Sequence, residues 1–303
     1  MIYTLTISTS LDFINEINKF ELGKINRSHS SLYLPGGKGI NVSLLLKELD
    51  IDSIALGFKS GFTGDYLQKI LNEKEIKNKL IEADGYTRIN IKVLSNCETA
   101  INTNTLIIED KHLDSLFNEV SKLSSNDILI ISGNIPSALN QDLYEKIILK
   151  LDKNIKVVVD AESKLLLNTL KYRPFLIKPN RDELEEMFNI KIDSYNDAIN
   201  YAKVLQGMGG RNVIVSLDKD GAILIDEHKK VYNLKNIEGK LVNSVGAGDS
   251  LVAGFICGIE RNYEMKDAFM LGVACANATA FSKSIANKSS INQTLSLLKE
   301  INN

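Results

Sequence analysis

Short apolar runs alternate along the chain with segments whose apolar residues recur every three or four positions. "IYTLTI" (2–7), "DSIALGF" (52–58), "DILIIS" (127–132), "KVVVD" (156–160), "PFLIK" (174–178) and "NVIVSL" (212–217) read as strands. Their unbroken Val, Ile and Leu content suits strands buried on both faces. Helical spacing falls between them, over roughly 39–49, 64–74, 110–122, 140–151, 181–188 and 195–208, and from residue 249 to the end. This alternation predicts an α/β fold, a mostly parallel sheet with helices on both faces. Two stretches, 12–35 and 86–103, break the rhythm, and within them "RINIKVLS" (88–95) alternates with period two. That period suits a sheet with one wet face. The two stretches are expected to form a small second sheet, a discontinuous β lid on one domain spanning 1–303. No repeat or low-complexity tract interrupts the chain, and its four prolines leave little room for a linker.

Composition narrows the class. With 44% hydrophobic and 24% charged residues over 303 positions, the chain has the make-up of a globular protein. A net charge of −2 gives no electrostatic reason to expect nucleic acid or an anionic membrane as partner. No apolar run reaches the roughly 18 residues that span a bilayer. The opening "MIYTLTIS" has neither a basic region nor a cleavage site, so a cytoplasmic location is expected. Cys97, Cys257 and Cys275 are odd in number and far apart. They read as free thiols, the last two packed in a core. His29, His112 and His228 lack zinc-ligand spacing and read as surface residues.

Three stretches carry candidate chemistry. In "VNSVGAGDSLVAGF" (242–255), Gly246 and Gly248 flank Ala247 where a helix begins, and Asp249 follows. Missing Cβ atoms let backbone N–H groups converge at a helix end that already favours anions. A carboxylate there can take a proton from an attacking hydroxyl. The same residues also fit a tight turn with a capping aspartate. In "LPGGKGINVS" (34–43), Gly36, Gly37 and Gly39 surround Lys38, and Asn41 offers an amide to sugar hydroxyls. An ordinary glycine turn with a solvated lysine fits as well. In "IKPNRDELEEMF" (177–188), Asn180 and Glu183 are spaced to hold a hydrated Mg²⁺, or to cap a helix with an acidic first turn.

Taken together, G-G-K-G-I-N, N-x-x-E and V-G-A-G-D-S resemble the ribokinase-like (PfkB-type) carbohydrate kinases over essentially the whole chain. "GFTG" (61–64), "TRINIK" (87–92), "SGNIP" (132–136) and "FLIKPN" (175–180) are similar to its sugar-phosphate branch, which contains 1-phosphofructokinase and tagatose-6-phosphate kinase. "TRIN" is closer to the first. The resemblance implies a Rossmann-like three-layer domain with a small β lid, and lids that pair in a homodimer. It implies transfer of a phosphoryl group from ATP, with Mg²⁺, to a sugar phosphate, fructose 1-phosphate foremost. Tagatose 6-phosphate and fructose 6-phosphate are the alternative acceptors. By the resemblance Asp249 is the base, and Gly246, Ala247 and Gly248 form the anion hole. Asp12, Gly37, Lys38 and Asn41 contact the sugar, while Arg27, Arg88 and Ser132 hold its phosphate. Lys178, Asn180 and Glu183 belong to the ATP–Mg²⁺ region, and Ser216, Gly221, Ser244 and Asn277 to the nucleotide. Since proton transfer can come late in a loose transition state, no unusual titration is expected of Asp249.

The chain also departs from that branch. Thr6 to Asp12 stands where T-L-N-P-A-[IL]-D is usual, "INTNTL" (101–106) where I-N-G-P-G-P is usual, and Asp218-Lys219 where Gly-Gly is usual. Lys59 replaces a small or apolar residue. These changes motivate a reading from another class, a non-catalytic sugar-phosphate sensor. A dinucleotide oxidoreductase lacks support, because "STSLDF" (8–13) and no G-x-G-x-x-G follows the first strand.

Overall fold

The unbroken apolar runs form strands whose two faces feed two different cores. In the segment 128–132, Leu129 and Ile131 join one buried cluster, and Ile128 and Ile130 join the other. The segment 156–160 repeats this, with Val157 and Val159 on one side and Val158 on the other. Period-two side-chain alternation on a sheet covered on both faces requires this division.

The computed structural model describes residues 1–242 and 245–302. In chain order its strands are β1 (Ile2–Thr6), β2 (Ser10–Glu16), β3 (Ser30–Gly36), β4 (Ser53–Lys59), β5 (Lys77–Glu82), β6 (Asp84–Gly85), β7 (Arg88–Leu94), β8 (Glu98–Asn102), β9 (Leu106–Ile107), β10 (Ile128–Ser132), β11 (Lys156–Asp160), β12 (Leu176–Ile177), β13 (Asn212–Ser216), β14 (Ala222–Ile225) and β15 (Val231–Leu234). The helices are α1 (Lys38–Glu48), α2 (Gly61–Glu73), α3 (Asp110–Val120), α4 (Leu143–Ile148), α5 (Ser163–Thr169), α6 (Arg181–Phe188), α7 (Tyr195–Met208), α8 (Ala247–Glu260), α9 (Met265–Ala280) and α10 (Lys288–Asn302).

The main sheet has nine strands in the order β15-β14-β13-β12-β11-β10-β1-β4-β5. Pairing is parallel from β5 through β13, and β14 and β15 add an antiparallel hairpin at one edge. The chain leaves β1 toward β4 on one side and later returns to β10 on the other. Strand order therefore reverses between β1 and β10, and ligands of open α/β sheets bind at the carboxyl ends beside such a reversal.

The two interrupting stretches pair as expected into a separate four-stranded sheet, β3-β2-β7-β8. At its base, Leu11 and Ile89 pack against Leu67, Ile70 and Leu71 of α2. Its opposite face carries Ser10, Asp12, Arg88, Asn90 and Lys92, brought side by side by the pairings Ser10 with Arg88, Asp12 with Asn90 and Ile14 with Lys92.

Several elements differ from the sequence expectation. The β14–β15 hairpin turns on Asp226, whose carboxylate accepts from the N–H groups of His228 and Lys230 and from the Tyr232 hydroxyl. That side-chain-made turn carries no glycine or proline signal. β5 and α5 also lie outside the sequence expectation: β5, "KNKLIE", is mostly polar and is held at the sheet edge by pairing with β4, while α5 is fixed by packing Leu165 and Leu166 into the core. α2 starts at Gly61, not 64, because Ser60 and Thr63 are tied to Gly85 and Thr87 across the crossing into the small sheet. His112 is not a surface residue: it is buried, and its Nδ1 accepts from the Glu109 N–H to complete a capping box on α3. Lys59 is explained by two carboxylates, Asp65 at 2.7 Å and Glu82 at 2.6 Å, which clamp the start of α2 to the end of β5.

The tightest helix contact joins α8 and α9. A Cβ on Gly254 would stand 2.7 Å from Cys275 Sγ and 2.8 Å from the Leu271 carbonyl oxygen. Both cysteines of this pair of helices are buried, as expected. Overpacking a close contact costs about 1–3 kcal/mol. Gly254→Val is therefore expected to lower the melting temperature measurably; an unchanged melting curve would mean the two helices can separate without cost.

Candidate active site

Most of the residues singled out in the sequence gather near the carboxyl ends of the parallel strands, those of β1, β10, β11 and β12 among them. Gly246 caps α8 in the left-handed region, at φ 83°, where a side chain would be strained and would also press on Ile285. The N–H groups of Ala247, Gly248 and Asp249 follow in the first turn, where helix geometry leaves them without intrahelical acceptors. Gly248 makes room for a cation: the Lys178 ammonium lies 3.3 Å from the position a Cβ would take.

Asp249 is buried, and its Oδ2 accepts from Asn41 Nδ2 at 2.8 Å. That bond joins α8 to α1 across 208 positions of sequence. Burial, reinforced by the nearby Asp160 carboxylate, pushes the Asp249 carboxyl up to about 6, against the pull of Lys38, Asn41 and Lys178. The expectation of ordinary titration is therefore corrected. The sequence shows the carboxylate but not that it is dry and faces another one.

Asp160 was not singled out in the sequence, and it organises the site. It ends β11, is 1% exposed, and its Oδ1 meets Lys178 Nζ at 3.2 Å and Lys38 Nζ at 3.5 Å. Burial alone would raise its carboxyl, but the two ammoniums hold it below the usual carboxylate range. Asp160 in turn raises the Lys38 ammonium above its ordinary value. The only signal for it in the sequence is an acidic residue at the end of an all-apolar strand.

Asn180 and Glu183 form a reciprocal cap on α6. Asn180 Oδ1 accepts from the Glu183 N–H at 2.7 Å, and Glu183 Oε2 accepts from the Asn180 N–H at 2.8 Å. The cap uses one oxygen of each side chain. Desolvation raises the Glu183 carboxyl despite the nearby Lys178. Ser216 is drawn beside Asn180 by an isolated bridge between β13 and this turn. Gly221 sits at φ 107° in the turn before β14, with the Leu234 backbone against it. Asn277 is fully engaged: its Oδ1 accepts from the Ile237 N–H, and its Nδ2 donates to Asn236 Oδ1 and to the Val273 carbonyl. It shapes the 236–237 segment. Ser244 lies outside the described residues.

On the small sheet, Asp12 Oδ1 accepts from Ser10 Oγ at 3.1 Å and Asn90 Nδ2 at 2.9 Å, while Oδ2 pairs with Lys92 at 3.1 Å. Ser10, Asn90 and Lys92 were not singled out individually. Arg88 donates to the Ser8 carbonyl at 3.3 Å, and its desolvation lowers the guanidinium below its ordinary value. The segments that depart from the family pattern are filled by other bonds. Thr9 Oγ1 donates to the Phe58 carbonyl, Thr103 bonds both backbone groups of Ile89, and the Asp218 carbonyl accepts from Asn236 Nδ2.

Gly37, the N-cap of α1, sits over Thr6, and the Thr6 Oγ1 accepts from the Gly39 N–H at 2.9 Å. Four buried polar atoms without a partner among the described residues gather near this crevice: Arg88 Nε, Asn90 Oδ1, Ser132 Oγ and Asp160 Oδ2. Buried polar groups are normally paired, so their clustering marks a ligand site. Arg27 is not brought to it. It is exposed and lies beyond the Glu16–Ser30 end of the β2–β3 hairpin, whereas the site is at the Ser10–Gly36 end. Six residue steps of about 3.3 Å separate those ends. The sequence cannot show this, because it does not reveal which end of a hairpin faces the site.

The chain is 43% identical over 300 residues to 1-phosphofructokinase of Bacillus subtilis (strain 168), covering 99% of both chains. It is 33% identical over 301 residues to D-tagatose-1-phosphate kinase of Bacillus licheniformis, again covering 99% of both. The structure of phosphofructokinase-2 from Escherichia coli in complex with fructose-6-phosphate superposes with a TM-score of 0.92 at 25% identity, over 98% of this chain and 99% of that one. The pattern of the pfkB family carbohydrate kinases matches residues 6–292, and the chain belongs to that family.

Proposed function

We propose that the protein is a 1-phosphofructokinase, transferring the γ-phosphoryl group of ATP to the free primary hydroxyl of fructose 1-phosphate. Tagatose phosphates are the runner-up acceptors. The observation that carries the reading is Asp249, held by Asn41 in the first turn of α8 beside N–H groups that helix geometry leaves without intrahelical acceptors. The 1-phosphofructokinase of Bacillus subtilis supports the choice of acceptor.

In this reading the sugar lies between Asp12 and Asn41, with its reacting hydroxyl at Asp249. Asp249 takes the hydroxyl proton as the new O–P bond forms and the bond from the γ-phosphorus to the β–γ bridging oxygen of ATP breaks, releasing ADP. The first-turn N–H groups of α8, with Lys178 and Lys38, offset charge on the transferring group, which is what phosphoryl transfer chiefly asks of a protein. Arg88 and Ser132 hold the phosphate already present. The Ser216 and Gly221 turns and the segment shaped by Asn277 border the nucleotide.

Among the described residues, no group of three His, Cys, Asp or Glu side chains could grip a metal directly. Asp160 Oδ2 is unpartnered, and Asn180 and Glu183 each keep capacity beyond their cap, so the site fits a Mg²⁺ held largely through water. Such an ion supplies charge neutralisation on the phosphate oxygens. The small sheet acts as a lid on one kinase domain, expelling water that would otherwise accept the phosphoryl group.

The lid also exposes Leu32 and Ile101, on its two edge strands, and Leu22 and Ile25 near its tip. Pairing of two lids in a homodimer would cover them and carry each Arg27 to the partner. Leu32→Glu with Ile101→Glu is expected to turn a dimer into a monomer by light scattering. A wild-type monomer would refute this pairing.

Asp249→Ala is expected to lower kcat about 10²–10⁴-fold in an ADP-release assay with fructose 1-phosphate, the usual worth of a positioned base. ATP binding should survive. Near-normal turnover would remove Asp249 from the role of base.

The raised Asp249 carboxyl also sets two pH dependences. Its base form is lost as pH falls through about 6, so kcat/KM should drop tenfold per unit below that point. The folded value lies above the ordinary one of 3.8, so this group's contribution to stability is present at low pH and lost as pH rises through about 6. Asp249→Asn should accordingly melt higher than the parent at pH 8 but not at pH 4; equal shifts at both would contradict the burial argument.

A further inference from the structure

The Asp12–Lys92 pair bridges β2 and β7 on the polar face of the small sheet. Both side chains are largely buried, at 14% and 13% exposure, and Lys92 Nζ lies 3.1 Å from Asp12 Oδ2. Asp12 Oδ1 is already bound by Ser10 and Asn90. A carboxylate has about four lone-pair sites. Three are filled, so Asp12 can accept from one further hydroxyl. An ammonium has three donors. Lys92 gives one to Asp12 and has two left. Both residues line a cavity of about 440 Å³ that also includes Asn41, whose amide is bonded to Asp249. Asn41 thus links this cavity to Asp249, which does not itself line it.

We propose that Lys92 is a specificity-determining residue: with Asp12 it reads the two adjacent ring hydroxyls of a ketose phosphate, one donating to Asp12 and its neighbour accepting from Lys92. This rests on the sugar-phosphate kinase reading given above. When the primary hydroxyl on C6 reacts and C1 carries phosphate, the furanose ring between them bears the anomeric hydroxyl on C2 and an adjacent pair on C3 and C4, and that pair is the one read. Fructose and tagatose differ only in the orientation at C4. A donor and an acceptor fixed 3.1 Å apart on rigid strands accept one orientation and leave a buried group unpaired with the other. Lys92 also neutralises Asp12, which would otherwise repel a doubly negative substrate.

The test measures kcat and KM for fructose 1-phosphate and tagatose 1-phosphate with the wild type, Lys92→Met and Lys92→Arg, together with the KM for ATP and the melting temperature. The wild-type arm alone judges the kinase reading: turnover of neither epimer would defeat that reading and this inference with it. With turnover, Lys92→Met is expected to raise the KM for the preferred epimer at least tenfold, leave kcat and the KM for ATP within threefold, and shift the preference between epimers about tenfold toward equality. Lys92→Arg, which keeps the ion pair, should restore most of the KM. Equal losses on both epimers would assign Lys92 to the phosphate. A fall in kcat and melting temperature with the preference unchanged would make the pair structural. A wild type that does not distinguish the epimers, or a Met variant that behaves like it, would also overturn the proposal.

Discussion

Asp160 is the carboxylate on which the crevice depends. It is sealed from water at the end of an apolar strand, and a buried charge persists only if opposite charges meet it. Lys38 and Lys178 do so from two directions. Lys38 opens α1 and Lys178 follows β12, so one acid fixes the position of both cations. It also raises the proton affinity of Asp249. One side chain thus places the charges that would bind phosphate and adds to the effect of burial on the group that would take a proton.

The same economy governs the approach of backbones. α8 begins where Gly246 takes a left-handed conformation and continues against α9 with almost no space between them. The small residues that let α8 reach into the core also seat its amino end against Lys178 and α1. Packing and anion binding are therefore consequences of one helix placement. Because Asn41 joins α1 to Asp249, that placement is checked from the other side of the crevice.

The small sheet divides its labour by face. Its apolar side rests on α2, and its polar side presents Ser10, Asp12, Arg88, Asn90 and Lys92 to the crevice. Lys59, clamped by Asp65 and Glu82, stiffens the crossing from β5 into that sheet. Segments that differ from the family pattern are tied to their neighbours through Thr9, Thr103 and Asp218, so the loops keep their shapes by other means.

Periodicity alone determined the parallel sheet, the helical stretch from residue 249 onward and the existence of a second sheet, because strand and helix periods are local properties of the chain. Spacing also exposed Gly246 to Asp249, Lys38, Asn41, Asn180 and Glu183, whose types are set by the turn or cap they occupy. Tertiary structure decided what distance and solvent control. It alone paired Asp160 with two lysines, Asp12 with Lys92, and Asp249 with Asn41. It buried His112, and it put Arg27 at the far end of its hairpin. The titration of Asp249 belongs to the same class, since a pKa depends on desolvation and on neighbours brought together from distant parts of the chain.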